Sequence, residues 1–268
     1  MTKDNVHADE VRDPLLEEYA YPTMFGKAEV FTLQTEDDTP VRVLYVDGGF
    51  QSATYLGEDR FQPVFAYYRA IDFVFQLGRP IHRMLMIGGG GFSYPKHMLM
   101  NENSLHQDAR MDVVEIDPAI VDIARRHFFL DEVEWLHGPF GTGRLGIIVA
   151  DGTQVLRASA SDAYNVVVND SFDGTDPTDV LLSPDALAQA KRVMTADGIY
   201  LVNAIAEDAE QAAPIAHALH GVFAHVYLLP CTDEEFDGSS NNLIVASDVP
   251  CSFPGLEQLP SPWCSTIL

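Results

Sequence analysis

Between residues 84 and 246, short apolar runs alternate with stretches whose apolar positions recur every three or four residues. The runs at 84–87, 112–116, 146–149, 165–168 and 199–203 are bounded by glycine, proline or acidic turns and predict strands. Helices are predicted between them near 94–101, 119–128, 153–158, 184–195 and 209–222. The fourth opens on Ser183 followed by Pro184, a side-chain acceptor at the cap and a proline in the first turn. Strand and helix alternating in this way imply a parallel sheet with crossover helices. Two last runs, 225–229 and 242–246, suit an antiparallel edge that finishes the sheet.

The first quarter of the chain has a different pattern. Residues 1–26 mix charge and proline without a period and are expected to form an arm. Three β-type runs follow at 29–34, 41–47 and 51–56, split by the polar stretch 35–40 and by Gly48-Gly49, which predicts a small antiparallel sheet. From 59 to 76, Phe61, Val64, Phe65, Tyr68, Ile71 and Phe75 recur at helical spacing and predict a packed helix. The resulting division is an arm (1–26), a small β domain (27–58), a Rossmann-like domain (59–248) and a tail (249–268) that is rich in proline and serine.

Composition narrows the class. With 47% hydrophobic and 21% charged residues, the 268-residue chain can bury a sizeable core. No apolar run approaches the roughly 20 residues needed to cross a bilayer. The polar, acidic start lacks the basic and apolar segments of a secretory signal, so a cytoplasmic location is expected. Forty acidic against 16 basic residues give a formal charge of −24. That charge repels nucleic acid and anionic membranes, excluding both as expected partners, and attracts cations. Cys231, Cys251 and Cys264 have none of the close spacings that hold zinc, and no metal is expected.

Chemistry concentrates where the predicted parallel strands end. The first is followed by Gly88-Gly89-Gly90-Gly91, where missing side chains let a ligand approach the backbone ahead of a helix N-terminus. The second ends in Glu115-Ile116-Asp117, about 25 residues on, where nucleotide-binding sheets place an acid for ribose hydroxyls. The third ends in Asp151-Gly152 and the fourth in Asn169-Asp170-Ser171-Phe172-Asp173-Gly174. Ligands of open α/β sheets bind outside these carboxyl ends, so the four segments converge on one crevice. Taken singly, each acid is equally well read as a helix or turn cap.

These segments together resemble the spermidine synthase (polyamine aminopropyltransferase) family, from about residue 41 to 247. Val46-Asp47-Gly48-Gly49-Phe50-Gln51 is similar to that family's Leu-Asp-Gly-x-x-Gln element, and Tyr164 to Asp173 to its catalytic Tyr-Asp-x-x-x-x-Asp-Ser-x-Asp stretch. The resemblance implies a Rossmann-like S-adenosylmethionine-dependent methyltransferase fold with a small N-terminal antiparallel β domain. It implies donor-binding roles for Gln51, Gln62, Gly88, Gly89, Gly90, Glu115, Asp151 and Gly152, and catalytic roles for Asp170, as the acid that deprotonates the attacking amine, and Asp173. The implied reaction moves an aminopropyl group from decarboxylated S-adenosylmethionine to a polyamine such as putrescine, and the implied assembly is a homodimer or a tetramer.

Two departures qualify the resemblance. The family's glycine motif reads Gly-Gly-Gly-Asp-Gly, its aspartate gripping the donor's amine, whereas this chain has Gly91 and Phe92. A second motif, Tyr-(His or Gln)-Glu, is matched only by Phe61-Gln62-Pro63. Loss of a carboxylate lowers affinity for a cationic tail and removes repulsion against the α-carboxylate of intact S-adenosylmethionine. A methyltransferase using the intact donor, and a non-catalytic nucleoside-binding or interaction protein, therefore stand beside the first reading. The acids Asp233, Glu234, Glu235 and Asp237 fall where an acceptor is expected, but suit a solvated loop equally well.

Overall fold

The computed structural model describes residues 18–35, 38–101, 107–173, 176–177, 179–205, 209–231 and 241–261. Strands β1 (Tyr19–Thr23), β2 (Gly26–Gln34), β3 (Pro40–Val46) and β4 (Gly49–Tyr55) form an antiparallel sheet in the order β1-β2-β3-β4. The turn between β3 and β4, Asp47-Gly48, has positive φ at both residues (47° and 89°), the conformation a two-residue hairpin loop demands. Strand β1 lies in the segment read as an arm. Its proline and short span hide the pattern, but Tyr19 and Tyr21 alternate onto one face and both rings pack on His127, with the Tyr21 hydroxyl 2.6 Å from His127 Nε2.

The helix expected over 59–76 is shorter. Helix α1 spans Ala66–Ala70 and continues as a 3₁₀ turn through Ile71–Gln76. Pro63 has no N–H for a helix and instead bridges to Thr54 of β4, which keeps 59–65 out of it.

The remaining elements build an eight-stranded sheet. Along the chain come β5 (Arg83–Ile87), α2 (Ser93–Met100), β6 (Arg110–Glu115), α3 (Pro118–His127), α4 (Leu130–His137), β7 (Leu145–Val149), α5 (Gly152–Ala158) and β8 (Tyr164–Asn169). A short ribbon of β9 (Phe172–Asp173) and β10 (Asp176–Pro177) follows, then α6 (Pro184–Val193), β11 (Met194–Ile205), α7 (Ala209–His220), β12 (His225–Leu229), β13 (Asn241–Ser247) and β14 (Glu257–Gln258). The sheet order is β14-β12-β13-β11-β8-β5-β6-β7, parallel from β11 to β7 and antiparallel where β13 enters. Helix α4 has no counterpart in the sequence reading. Its eight residues start from Phe129 in the left-handed region (φ 60°), directly after α3 ends, so its period merges with that of α3.

The central strands are apolar on both faces because each face is covered. Met84, Met86, Val166 and Val168 join the core shared with the N-terminal sheet, α2 and α3, while Leu85, Ile87, Val167 and Tyr200 join the core under α6 and α7. Strand order reverses between β5 and β8, and it is there that chain segments leave the sheet in opposite directions and open a crevice.

Candidate active site

Gly88 follows β5 with φ +102°, and a Cβ there would overlap the carbonyl oxygen of Asp170, so only glycine lets the ends of β5 and β8 come together. The Asp170 N–H in turn donates to the Ile87 carbonyl at 2.8 Å. The glycine turn then curls over the end of β6. The N–H groups of Gly89 and Gly90 donate to Glu115 Oε2 at 3.0 and 3.2 Å, and the Asp117 N–H donates to Oε1 at 3.0 Å. Glu115 is only 8% exposed, and burial pushes its pKa up against the lowering effect of these three donors. Three of the roughly four acceptor positions of a carboxylate are thus filled, and one on Oε1 is left.

Gly91 is closed off. A Cβ there would lie 2.5 Å from Ser52 Oγ on β4 and 2.9 Å from the Phe128 ring. Ser52 Oγ is 3.0 Å from Ser93 Oγ, which donates to the Ala53 carbonyl. Three residues along α2, the buried Lys96 amine donates to Thr54 Oγ1 (3.2 Å) and to the Phe128 carbonyl (2.8 Å). Among the described residues no carboxylate pairs with it, and burial lowers its pKa to about 7. Buried polar groups therefore bolt α2, and with it the glycine turn, to β4. Phe92, wholly buried, holds the left-handed conformation (φ 56°) that turns the chain into α2.

Asp170 is the centre of the arrangement. Its Oδ2 accepts from the Tyr68 hydroxyl at 2.9 Å and the Tyr67 hydroxyl at 3.3 Å, and its Oδ1 accepts from Asn203 Nδ2 at 2.8 Å. The tyrosines come from α1 and the asparagine from β11, so three side chains on two separate elements hold one carboxylate. Burial raises its pKa to about 7, with the Asn203 and tyrosine hydrogen bonds opposing that rise. A carboxylate that titrates near neutrality and is held in a fixed orientation at a strand end has the properties of a general base.

The predicted residues fall into three groups. Gly88, Gly89, Gly90, Glu115 and Asp170 are joined by direct contacts at the ends of β5, β6 and β8. Gln51 lies beside them on β4, its carbonyl 3.5 Å from the Cβ position of Gly90, and Gly152 packs on Ile87 at the next strand end. Asp151 caps α5, accepting from the Gln154 N–H at 3.0 Å and from the Thr153 hydroxyl, and that hydroxyl is the main cause of its lowered pKa. Gln62 is exposed on the segment before α1 and stands outside the cluster. Asp173 is on β9, but its side chain and the acids 233–237 lie outside the described residues. Tyr67, Tyr68 and Asn203 were not foreseen as site residues. Tyr68 stands in the apolar stripe and reads as core, Tyr67 falls between its positions, and only the fold shows that both hydroxyls aim at the residue after β8.

Comparison with known proteins agrees with this architecture. Spermidine synthase from Thermotoga maritima superposes with a TM-score of 0.62 at 18% identity, over 86% of this chain and 72% of that one. Human methyltransferase-like protein 13 in complex with SAH does so with 0.53 at 20% identity, over 74% and 86%. The fold is thus the Rossmann-like methyltransferase fold with an N-terminal antiparallel sheet. The spermine/spermidine synthase domain model matches residues 64–248, and the chain belongs to that family. Among curated relatives, the polyamine aminopropyltransferase of Ruegeria sp. (strain TM1040) is 30% identical over 117 residues, 44% of this chain and 38% of the relative. Putrescine N-methyltransferase 2 of Nicotiana attenuata is 27% identical over 160 residues, 59% and 39%. The polyamine aminopropyltransferase of Clostridioides difficile (strain 630) is 26% identical over 182 residues, 68% and 57%. The matches therefore span less than two thirds of each relative's own length. No helix among the described residues is long and apolar enough to cross a membrane, and they contain no group of three or more metal-binding side chains.

Proposed function

We propose that the chain is a transferase that moves a group from an S-adenosyl sulfonium donor to a cationic amine, with Asp170 as the base. The observation that carries this reading is the Asp170 carboxylate held by Tyr67, Tyr68 and Asn203 at the strand end next to the glycine turn. When bound, the donor supplies an electrophilic carbon beside a positively charged sulfur, and the broken C–S bond leaves a neutral thioether. Asp170 first attracts the protonated acceptor and then takes its proton, freeing the nitrogen lone pair for attack. The tyrosine hydroxyls and the Asn203 amide keep the accepting oxygen in place. Glu115 anchors the ribose through its remaining acceptor position, one loop amide giving way to a second ribose hydroxyl.

The transfer we propose is of an aminopropyl group from decarboxylated S-adenosylmethionine to a polyamine such as putrescine, and the polyamine aminopropyltransferase relatives support it. The net charge of −24 favours a cationic acceptor. The closed space at Gly91 favours a second reading, methyl transfer from intact S-adenosylmethionine, because a carboxylate that would grip a cationic tail has no room there. Incubation with putrescine and each donor in turn separates them. Spermidine together with methylthioadenosine marks the first reading, N-methylputrescine together with S-adenosylhomocysteine marks the second, and no product from either donor refutes both.

A further inference from the structure

The N-terminal sheet meets the crevice at one particular end. Thr23 pairs with Gly26, and Val46 pairs with both Ala28 and Gly49, so the turns at 24–25 and 47–48 lie at the same end of the sheet. Beside the second turn, the Gln51 carbonyl approaches Gly90. At the first turn, the Met24 N–H donates to Asp117 Oδ2 at 2.6 Å, and the Asp117 N–H donates to Glu115 Oε1 at 3.0 Å. The tip of the β1–β2 hairpin is therefore fixed to Asp117, two residues from the acid at the end of β6. It is also braced internally, since Thr23 Oγ1 accepts from the Phe25 N–H (3.2 Å) and its hydroxyl donates to the Gly26 carbonyl (2.8 Å). Tyr21 and His127 pin the same strand at the far end of α3.

This anchored tip carries two large apolar side chains in water. Met24 is 63% exposed and Phe25 49%, whereas Val30, Val41, Val43 and Leu44 of the same sheet are fully buried. Ile116, between Glu115 and Asp117, is 36% exposed. Neither Met24 nor Phe25 serves the core, yet the turn that bears them is tied to the donor-side strand end.

We infer that Met24 and Phe25 form the outer wall of the nucleoside pocket and cover the purine ring of a ligand whose ribose is held by Glu115. The inference rests on the nucleoside reading of that pocket. A thioether and an aromatic ring offer a purine polarizable contact surface, and an aromatic side chain against a base contributes enough for its removal to weaken binding by about tenfold or more.

The test is calorimetric titration with methylthioadenosine and S-adenosylhomocysteine of the unaltered protein, the Met24→Ala/Phe25→Ala double variant, and Phe140→Ala, which removes an exposed ring from the α4–β7 connection. The double variant should bind both ligands at least about tenfold more weakly with little change in melting temperature, and Phe140→Ala should bind normally. Phe25→Trp should report ligand binding by a change in its fluorescence, a signature that a merely structural role would not give and that holds if the double variant is poorly folded. Unchanged affinity in the double variant, or a silent Phe25→Trp in a protein that binds, overturns the inference alone. Failure of the unaltered protein to bind either nucleoside overturns the pocket reading and the inference with it.

Discussion

Replacing Asp170 with asparagine should make the protein more stable, and increasingly so as pH rises. The carboxylate titrates near 7 in the folded protein against 3.8 in an ordinary environment. Between those values the folded state binds more protons than the unfolded chain, so stability falls as pH climbs from about 4 to 7 and levels off above. Asparagine does not titrate and lacks this dependence. About two of those pH units lie between pH 5 and pH 8, and at about 1.4 kcal/mol per unit the advantage of Asp170→Asn should grow by up to about 3 kcal/mol across that range. For a chain of this length that is a widening of the melting-temperature difference by roughly 6–12 °C. Thermal melts of both proteins at pH 5, 6, 7 and 8 measure it directly. A difference that stays constant with pH would show that Asp170 is ionised throughout, and the argument for a neutral-range base would fail.

Four other outcomes follow from the same geometry. Transfer activity should rise with pH through about 7 as Asp170 ionises and then level off, and a profile already flat at pH 5 would contradict this. Tyr68→Phe removes the shorter phenolic hydrogen bond to Asp170, so the rising limb of that profile should move to higher pH with the rate at its plateau reduced about tenfold; an unmoved limb would deny Tyr68 a part in tuning the base. Lys96→Met should behave oppositely to Asp170→Asn: the buried amine titrates at about 7 instead of 10.5, so the unaltered protein gains stability as pH rises from 7 towards 10.5, by up to about 5 kcal/mol. Melts at pH 7 and 9.5 should therefore show the variant's relative stability falling with pH. Gly91→Ala should cost about 1–3 kcal/mol through the Ser52 and Phe128 contacts, and adding Ser52→Gly should recover part of it; additive losses in a double-mutant cycle would refute the packing account.

The parallel half of the molecule was legible because its strands are buried on both faces and its helices on one, which leaves two clean periods in the sequence. All five predicted parallel strands and their intervening helices stand within a few residues of their observed positions, β11 excepted, whose irregular start at Met194 extends it. Elements that depend on a partner were harder to read. Strand β1 exists because Tyr19 and Tyr21 find His127 more than a hundred residues away, and α4 because Phe129 adopts a conformation sequence does not advertise. In the site, the glycines and Glu115 stood out by spacing, and the structure brings them into contact at the ends of β5 and β6. Tyr67, Tyr68 and Asn203 act through orientation, which periodicity does not encode. In the sequence Gly91 marks only the loss of a carboxylate, and the structure adds that Ser52 and Phe128 already fill the space a side chain would need.

The most direct test of the central claim, a nucleoside-donor pocket at the ends of β5 and β6, is titration with methylthioadenosine and S-adenosylhomocysteine side by side, repeated with Glu115→Ala. Saturable binding of at least one at submillimolar concentration is expected, lost in the variant, with tighter methylthioadenosine favouring aminopropyl transfer and tighter S-adenosylhomocysteine favouring methyl transfer. No binding of either ligand at millimolar concentration, or binding that Glu115→Ala leaves intact, would contradict it.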